Sequence, residues 1–305
     1  MAHIRLLRVS QWVKNIFVFA GLIFGQKMGD LPSVYATLLG FACLCLLSSS
    51  VYVMNDISDR DEDRRHPRKC KRPIASGEVA VPTAMLMTLG LAIGGLGGAW
   101  LLDRGFFLIA AAYVVLQIAY TFVLKHQVVL DVICIATGFV LRAIAGAVLV
   151  HVAISVWLVV CTFTLCLFMG FSKRRCELNA MLENNGTAAS HHRRTLAIYT
   201  PELLNHMTTM TAGIAVVSFL LYTTDARTIE TFKTNYLVYT LPLVVYAVFR
   251  FAVLVEHGKV DGPTEVLLKD FPFQAAIVLW AAAAILIVYR GVELKSFFER
   301  MAGAP

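Results

Sequence analysis

The chain alternates between long apolar segments and shorter polar ones. Most apolar segments have roughly the 20 residues that a helix needs to cross the hydrocarbon core of a bilayer. Such segments must be helical, because only a helix satisfies its own backbone hydrogen bonds where water is absent. The nine segments are residues 12–27, 34–54, 82–102, 105–124, 127–150, 153–172, 208–224, 235–255 and 271–290. The pattern predicts an all-α, polytopic membrane protein of about nine transmembrane helices, with residues 1–305 forming a single catalytic domain.

The composition supports a membrane protein. Hydrophobic residues make up 58% of the chain, charged residues 15%, and the mean hydropathy is +0.70. A soluble domain usually carries about 25% charged residues. The first apolar segment lacks a small-residue cleavage site, so it is expected to remain as the first span. The seven cysteines show no metal-binding spacing. A nucleic-acid partner is not expected, and homo-oligomerisation is left open.

The basic residues predict the orientation of the chain. Of the 27 Lys and Arg residues, 18 fall at the N-terminal side or after even-numbered segments, whereas 7 fall on the opposite side. Short segments rich in Lys and Arg stay in the cytoplasm. We therefore expect a multi-pass protein of the cell (inner) membrane with a cytoplasmic N-terminus. The long polar loops 56–81 and 173–206 both fall on the cytoplasmic side and predict a polar cavity there.

Acidic residues follow the second apolar segment as NDISDRDED, residues 55–63. On a helix, Asn55, Asp56, Asp59 and Asp63 fall within about 100° of one another and share one face. Their carboxylates would repel each other unless a cation neutralises them. Hard oxygen ligands around an open site favour Mg²⁺, completed by phosphate oxygens of a substrate. The alternative interpretation is a solvated run of charges that follows a membrane helix.

A cation-rich stretch, HPRKCKRPIASG, comes directly afterwards. Pro67 is expected to end the preceding helix, and Gly77 to let the chain turn back toward the third span. The cations His66, Lys69 and Arg72 suit a polyphosphate held beside a carboxylate–metal site. Anchoring of the loop at the cytoplasmic surface is the alternative explanation.

Ionisable residues also lie inside the predicted spans. Asp131 and Arg142 share nearly one face of the fifth span. They are separated by about 16 Å along the helix, so each needs a partner other than the other. Arg250 in the eighth span raises the same question, and a structural ion pair is as acceptable there as a functional role.

The stretch NDISDRDEDRRHPRKCKRPIASG resembles the first Asp-rich motif of the UbiA superfamily of intramembrane prenyltransferases, and the nine-span layout agrees with that superfamily. The opening RVSQWVKN (residues 8–15) and the HPxKxxRPxAxG continuation are similar to its polyprenyl-phosphate phosphoribosyltransferase branch. Typical members carry a second Asp-rich motif after the sixth span. Here the chain has SKRRCEL (residues 172–178), which again resembles that branch.

The resemblance implies a UbiA-like bundle and a specific reaction. A Mg²⁺-dependent enzyme would transfer 5-phosphoribose from 5-phosphoribosyl 1-diphosphate to a decaprenyl-type polyprenyl phosphate and release diphosphate. The expected metal ligands are Asn55, Asp56, Asp59 and Asp63, and the expected catalytic residues are Asp56, Asp59, Asp63 and Lys125. Expected substrate-binding residues are Gln11, Lys14, His66, Lys69, Arg72, Tyr120, Asp131, Arg142, Lys173, Arg174 and Glu177. For Lys125, an interfacial side chain that extends its ammonium toward water is the alternative.

Two other functions remain open at this point. The first is an aromatic prenyltransferase, in which the Asp motif binds a prenyl diphosphate. The missing second Asp-rich motif argues against it. The second is a transporter of a lipid phosphate or organic anion. The sequence shows no clear inverted repeat with broken helices, and its polar groups cluster toward one side of the membrane rather than at the midplane.

Overall fold

The computed structural model describes residues 2–65, 69–183, 198–257, 265–266 and 269–301, so His66 lies outside the described residues. These residues form helices joined by turns, and no strand occurs among them. Within them, nine helical segments are long and apolar enough to cross a membrane: Ala2–Phe24, Leu31–Ser58, Val81–Leu102, Arg104–Phe122, Leu130–Leu149, Val156–Met181, Pro201–Thr224, Tyr236–Glu256 and Phe271–Phe297. The predicted all-α, nine-span architecture is confirmed.

Twelve α-helices have both ends within the described part of the chain. They are α1 (Ala2–Leu7), α2 (Phe19–Phe24), α3 (Leu31–Ser58), α4 (Arg60–Arg65), α5 (Val81–Leu102), α6 (Arg104–Phe122), α7 (Leu130–Leu149), α8 (Val156–Glu183), α9 (Pro201–Thr224), α10 (Ala226–Phe232), α11 (Leu241–Glu256) and α12 (Phe271–Met301). Shorter 3₁₀ segments are Val9–Val18, Lys69–Lys71, Leu124–His126 and Tyr236–Thr240.

The chain divides into two compact units. The first comprises Met1–Val159 and Ala180–Thr200, and the second comprises Val160–Asn179 and Pro201–Pro305. The expectation of one catalytic domain over residues 1–305 stays a prediction.

The first unit is built on α3, α5, α6 and α7. Its core contains Leu44 and Leu47 of α3, Phe106 of α6 and Leu149 of α7, all at most 4% exposed. α3 is buried over much of its length, which explains why small side chains such as Ser48 are tolerated in it. The motif at the C-terminal end of α3 is therefore held on a largely buried helix.

The first span differs from the single segment predicted at residues 12–27. It consists of α1, the 3₁₀ segment Val9–Val18 and α2, and it breaks at Arg8, whose backbone is left-handed (φ 50°, ψ 50°). Such a conformation is unfavourable for a residue with a Cβ and interrupts a helix. Trp12 Nε1 donates to Ser49 Oγ (3.0 Å), which fixes the 3₁₀ segment to α3. The first span thus begins before residue 12 and is interrupted, unlike the single segment predicted at residues 12–27.

Polar residues extend three helices beyond the predicted apolar limits. α8 continues through residues 173–183, and α9 begins at Pro201, so much of the expected loop 173–206 is helical. Residues 173–183 are rich in Lys, Arg, Glu, Leu and Ala, which favour helix even after the apolar run has ended. α3 likewise extends to Ser58, four residues beyond the predicted end of its span.

The second unit packs α8, α9, α11 and α12. Its core includes the aromatic contacts of Phe251 with Phe168 (5.3 Å between ring centroids) and with Phe273 (6.1 Å). Arg250 Nη2 donates to Asp270 Oδ2 (2.8 Å). The partner of this intramembrane arginine is therefore Asp270, in an ion pair. The Arg250 guanidinium lowers the pKa of the Asp270 carboxyl below its usual value.

Candidate active site

The Asp motif occupies the end of α3 and the start of α4. Asp59 is the C-terminal cap of α3, yet its carbonyl oxygen still accepts from the Asp63 backbone N–H (2.8 Å), so helical spacing continues through the junction. Asn55 Nδ2 donates to Asp59 Oδ2 (3.1 Å). Asp56 and Asp63 are each 2% exposed. The predicted common face therefore exists, despite the break between the two helices.

Arg72 joins two of these carboxylates. Its Nη1 donates to Asp56 Oδ1 (3.0 Å) and to Asp63 Oδ2 (2.6 Å). The loop carrying Arg72 is anchored by Ile74 (1% exposed) and Val79 (3% exposed), which pack in a small apolar cluster with α1, α3 and α5.

The same loop turns back as the sequence predicted. Gly77 adopts φ 83°, the left-handed conformation that glycine adopts without steric cost. The backbone N–H of Val79 donates to Pro73 O (2.9 Å), which closes the turn.

Two further cations, Arg8 and Lys125, join Arg72 to form a ring of positive charges around the carboxylates. Arg8 donates to Asp56 Oδ1 through Nη2, and Lys125 donates to Asp59 Oδ1 through Nζ. Lys125 is only 5% exposed, so the alternative of an interfacial lysine extended toward water is wrong. Each carboxylate on the shared face thus contacts at least one cation.

The electrostatic environment of this cluster follows from its burial. Burial raises the pKa of the Asp63 carboxyl, and the charge and hydrogen bond of Arg72 oppose that shift. Buried ion pairs are stable only when hydrogen bonds compensate the lost hydration. An incoming anion that attracts Arg8, Arg72 or Lys125 would release carboxylate oxygens for another cation.

Among the described residues, no group of three His, Cys, Asp or Glu side chains is arranged to hold a metal ion. One donor is nevertheless ready, because Asn55 Oδ1 is buried and accepts no hydrogen bond from any described residue. It lies beside Asp59, to which the same amide donates. An amide oxygen and a carboxylate oxygen suit Mg²⁺, which takes few protein ligands and completes its shell with water and substrate phosphate. These residues fit a substrate-assisted Mg²⁺ site.

A second polar layer lies further along α3, away from the carboxylates. Tyr52, one turn before Asp56, carries both Arg8 and Lys14 over its ring, at 5.2 Å and 5.9 Å from the centroid. Arg142 of α7 is 5% exposed. Its three donated hydrogen bonds go to neutral oxygens: Asn15 Oδ1 (2.8 Å), Gly138 O (2.9 Å) and Tyr113 Oη (2.7 Å).

Asp131 and Arg142 have separate partners, as the helix geometry required. Asp131 is fully buried, and its Oδ1 accepts from Tyr199 Oη (3.3 Å). The Tyr199 hydroxyl in turn accepts from the Val129 backbone N–H (2.8 Å). Tyr199 therefore ties the start of α7 to the segment just before α9.

The predicted substrate-binding residues Lys173, Arg174 and Glu177 lie on α8, in the second unit. Arg174 is 1% exposed and donates to Glu177. Lys173 is 41% exposed and lies 3.7 Å from Glu177. The third cation, Arg175, donates to Pro201 O (2.6 Å) and to Glu256 Oε1 (3.2 Å), so it joins α8 to α9 and α11. Three consecutive cations thus have different surroundings.

The remaining predicted residues are Gln11, Lys69 and Tyr120, and all three are half-buried. The charge of Lys69 acts on Asp63, which agrees with a place at the edge of the ring. Sequence reasoning missed Arg8, although it lies at the start of the RVSQWVKN stretch. It also missed Asn15, Tyr52, Tyr113 and Tyr199, whose aromatic or amide side chains give no signal within apolar segments.

Comparisons with known proteins find relatives that match most of the chain. The sequence matches the UbiA prenyltransferase family over residues 15–266. A protein of Mycolicibacterium smegmatis named decaprenyl-phosphate phosphoribosyltransferase is 33% identical over 298 residues, covering 94% of this chain and 92% of the relative. A protein of the same name from Corynebacterium glutamicum is 32% identical over 295 residues, covering 94% and 86%. The solved structure of a UbiA homolog from Archaeoglobus fulgidus, bound to DMAPP and Mg²⁺, shares the fold with a TM-score of 0.74 at 19% identity, covering 94% of this chain and 99% of that one.

Proposed function

Because this chain belongs to the UbiA prenyltransferase family and is a multi-pass membrane transferase, we propose that it transfers 5-phosphoribose from 5-phosphoribosyl 1-diphosphate to a polyprenyl phosphate. The observation that carries the proposal is the ring of Arg8, Arg72 and Lys125 around the carboxylates of the Asp motif. Relatives that match almost the whole chain and are named decaprenyl-phosphate phosphoribosyltransferase support the same choice of substrates.

The reaction exchanges one bond at C1 of the ribose. An oxygen of the lipid phosphate forms a new bond to C1 while the C1–O bond to diphosphate breaks, and that bonding pair leaves with diphosphate. The lipid phosphate is already an anion, so no strong general base is needed. C1 acquires oxocarbenium character as the leaving group departs, as at other glycosidic centres.

The chain's own cations stabilise the departing charge. Arg72 and Lys125 are bound to carboxylates before donor arrives. As diphosphate binds, they transfer hydrogen bonds to its oxygens and remain there as negative charge grows. Asn55 and Asp59, together with the freed oxygens of Asp56 and Asp63, are the residues that would hold Mg²⁺. When bound, Mg²⁺ supplies further charge neutralisation on the leaving diphosphate.

We assign the lipid phosphate to Lys173 and Arg174 of α8. Lys173 is partly exposed, and Glu177 lies near both cations. A phosphate monoester attracts such a pair more strongly than a single carboxylate does, because it offers more acceptor oxygens and more charge. The transporter alternative loses its support, because the family consists of transferases.

Donor choice tests the proposed function directly. The purified protein in lipid nanodiscs receives polyprenyl phosphate and 5-phosphoribosyl 1-diphosphate labelled in the ribose, with Mg²⁺ or with a chelator. We expect ribose label in the lipid fraction only with Mg²⁺, and diphosphate in the aqueous phase. A parallel reaction uses labelled prenyl diphosphate with an aromatic acid as acceptor. Lipid labelling from the prenyl donor alone would replace the proposal with an aromatic prenyltransferase.

A further inference from the structure

The first unit contains a second cationic cluster, formed by Lys14 and Arg142. Arg142 is 5% exposed, and among the described residues its side chain meets only neutral groups. Lys14 lies over the Tyr52 ring, and no carboxylate of the described chain contacts its ammonium group. The charges of Arg8 and Arg142 both act on Lys14. The cluster is therefore a place where positive charges repel one another.

A buried arginine and a half-buried lysine with only neutral described partners are unusual in a membrane protein. Ionisable side chains within a bilayer normally pair with an opposite charge or line a functional cavity. Arg142 uses three N–H groups in its described hydrogen bonds, whereas a guanidinium offers about five. The Asn15 amide that accepts from Arg142 is fixed in orientation, because its Nδ2 donates to Ser48 Oγ (3.2 Å). Arg142 therefore retains donor capacity beyond its described hydrogen bonds.

Tyr52 connects the Lys14–Arg142 cluster to the carboxylate ring, which consists of the Asp motif carboxylates and the cations Arg8, Arg72 and Lys125 around them. Arg8 contacts both Asp56 and the Tyr52 ring, and Lys14 contacts the same ring. Tyr52 precedes Asp56 by one helical turn, which is about 6 Å along α3. A ligand whose diphosphate lies at the carboxylate ring would therefore direct its remaining part toward Lys14 and Arg142.

The net charge of the two clusters also favours a ligand with a second anionic group. Even without Lys69 at the edge of the ring, five cations (Arg8, Lys14, Arg72, Lys125 and Arg142) accompany three carboxylates (Asp56, Asp59 and Asp63). This leaves a surplus of at least two positive charges before any metal is added. A phosphate monoester carries about two negative charges near neutral pH. A prenyl diphosphate would instead present a hydrocarbon tail to Lys14 and Arg142 and leave both charges uncompensated.

We propose that Lys14 and Arg142 bind the 5-phosphate of the ribosyl donor and thereby select it against prenyl diphosphates. This proposal rests on the proposed function, because it assigns one part of the same donor. The diphosphate end occupies the carboxylate ring, and the 5-phosphate end occupies the Lys14–Arg142 cluster. Asn15 and Tyr113 act as positioning residues, since each holds the guanidinium by one hydrogen bond.

The test compares two ligands that share only the diphosphate. The affinities of 5-phosphoribosyl 1-diphosphate and of inorganic diphosphate, each with Mg²⁺, are measured by titration calorimetry of the full-length protein in detergent. The variants are Lys14→Met and Arg142→Gln. We expect each to weaken binding of the phosphoribosyl donor by about tenfold or more, as for loss of a charged hydrogen bond. Binding of inorganic diphosphate should change less than about threefold.

Arg250→Gln is the matched control. It also removes an arginine from within a span, but that arginine is paired with Asp270 in the second unit. Its ratio of the two affinities should equal that of the wild type. If Arg142→Gln does not fold, Lys14→Met alone decides. An unchanged ratio in a folded Lys14→Met variant, or equal losses for both ligands, overturns the proposal. Failure of the proposed function shows separately, as absence of ribose transfer by the wild-type protein.

Discussion

At the scale of single residues, the carboxylates of the Asp motif differ sharply from the acidic residues beside them. Asp59 accepts from both Asn55 and Lys125, whereas Asp61, two residues later, has a side chain that is 80% exposed. Both belong to the same acidic run in the sequence. Only the first has surroundings suited to a metal-bound diphosphate.

We predict that Asp59→Asn lowers kcat for ribose transfer by at least about 100-fold, because it removes a charged ligand next to the leaving group. The protein should remain folded, since asparagine keeps the size of the side chain. Radiolabel transfer to lipid and thermal unfolding in detergent measure the two quantities. Asp61→Asn is the control and should keep nearly full activity. Comparable activity in both variants would contradict the metal-site assignment.

At the scale of elements, the first span and α7 approach each other so closely that only glycine fits. A Cβ added to Gly146 would lie 1.8 Å from the carbonyl oxygen of Val18, and one added to Gly21 would lie 2.6 Å from the Ala147 backbone. This contact places Asn15 against Arg142. The glycines therefore determine where the broken first span lies and, through it, the position of Lys14.

We expect Gly146→Ala to lower the free energy of unfolding by about 1–3 kcal/mol, because backbone atoms must separate to admit the methyl group. Affinity for the phosphoribosyl donor should fall as well, since the shift separates Asn15 from Arg142. Gly90→Ala in α5 is the control, because an added Cβ there would meet no atom within 4 Å. Unfolding in detergent and donor titration report both effects. Equal stability of the two variants would show that the close approach is not required.

Consecutive cations of α8 lie in different surroundings, and this gives a second prediction at the scale of elements. Lys173→Gln combined with Arg174→Gln should raise the KM for polyprenyl phosphate about tenfold while changing the KM for the phosphoribosyl donor much less. Arg175→Gln should instead reduce stability without shifting either KM, because Arg175 binds Pro201 O and Glu256. Steady-state kinetics with each substrate varied separates these outcomes. A rise confined to the donor KM would place Lys173 and Arg174 in the donor site.

At the scale of the whole molecule, the distribution of basic residues predicts the orientation of the nine spans. The structure supplies exposed positions that test it: Glu62 on α4 and Lys295 near the end of α12. In a Cys70→Ser background, Glu62→Cys should react with a membrane-impermeant thiol reagent only from the cytoplasmic side. Lys295→Cys should react only from the opposite side. Intact cells and inverted vesicles provide the two directions of access, and the reverse pattern would overturn the predicted topology.

The amino-acid sequence was enough to predict the class of fold and to group the acidic residues of the candidate site. Long apolar segments leave a membrane helix as the main option, because an unpaired backbone group in lipid is costly. Asp56, Asp59 and Asp63 could be grouped without a structure, because helical periodicity alone places them on one face. The turn at Gly77 could also be predicted, since the effect of glycine on the backbone is local. Pro67, predicted to end the preceding helix, lies outside the described residues.

The partners of these residues could not be predicted, because they depend on how distant segments pack. Arg8, Lys125 and Arg72 come from three distant parts of the chain, and no local rule joins them to one cluster of carboxylates. The break at Arg8 also escaped prediction, because it depends on packing against α3 and α7 rather than on a helix-breaking residue. Local patterns follow from covalent geometry, whereas ion pairs between segments depend on how the helices pack.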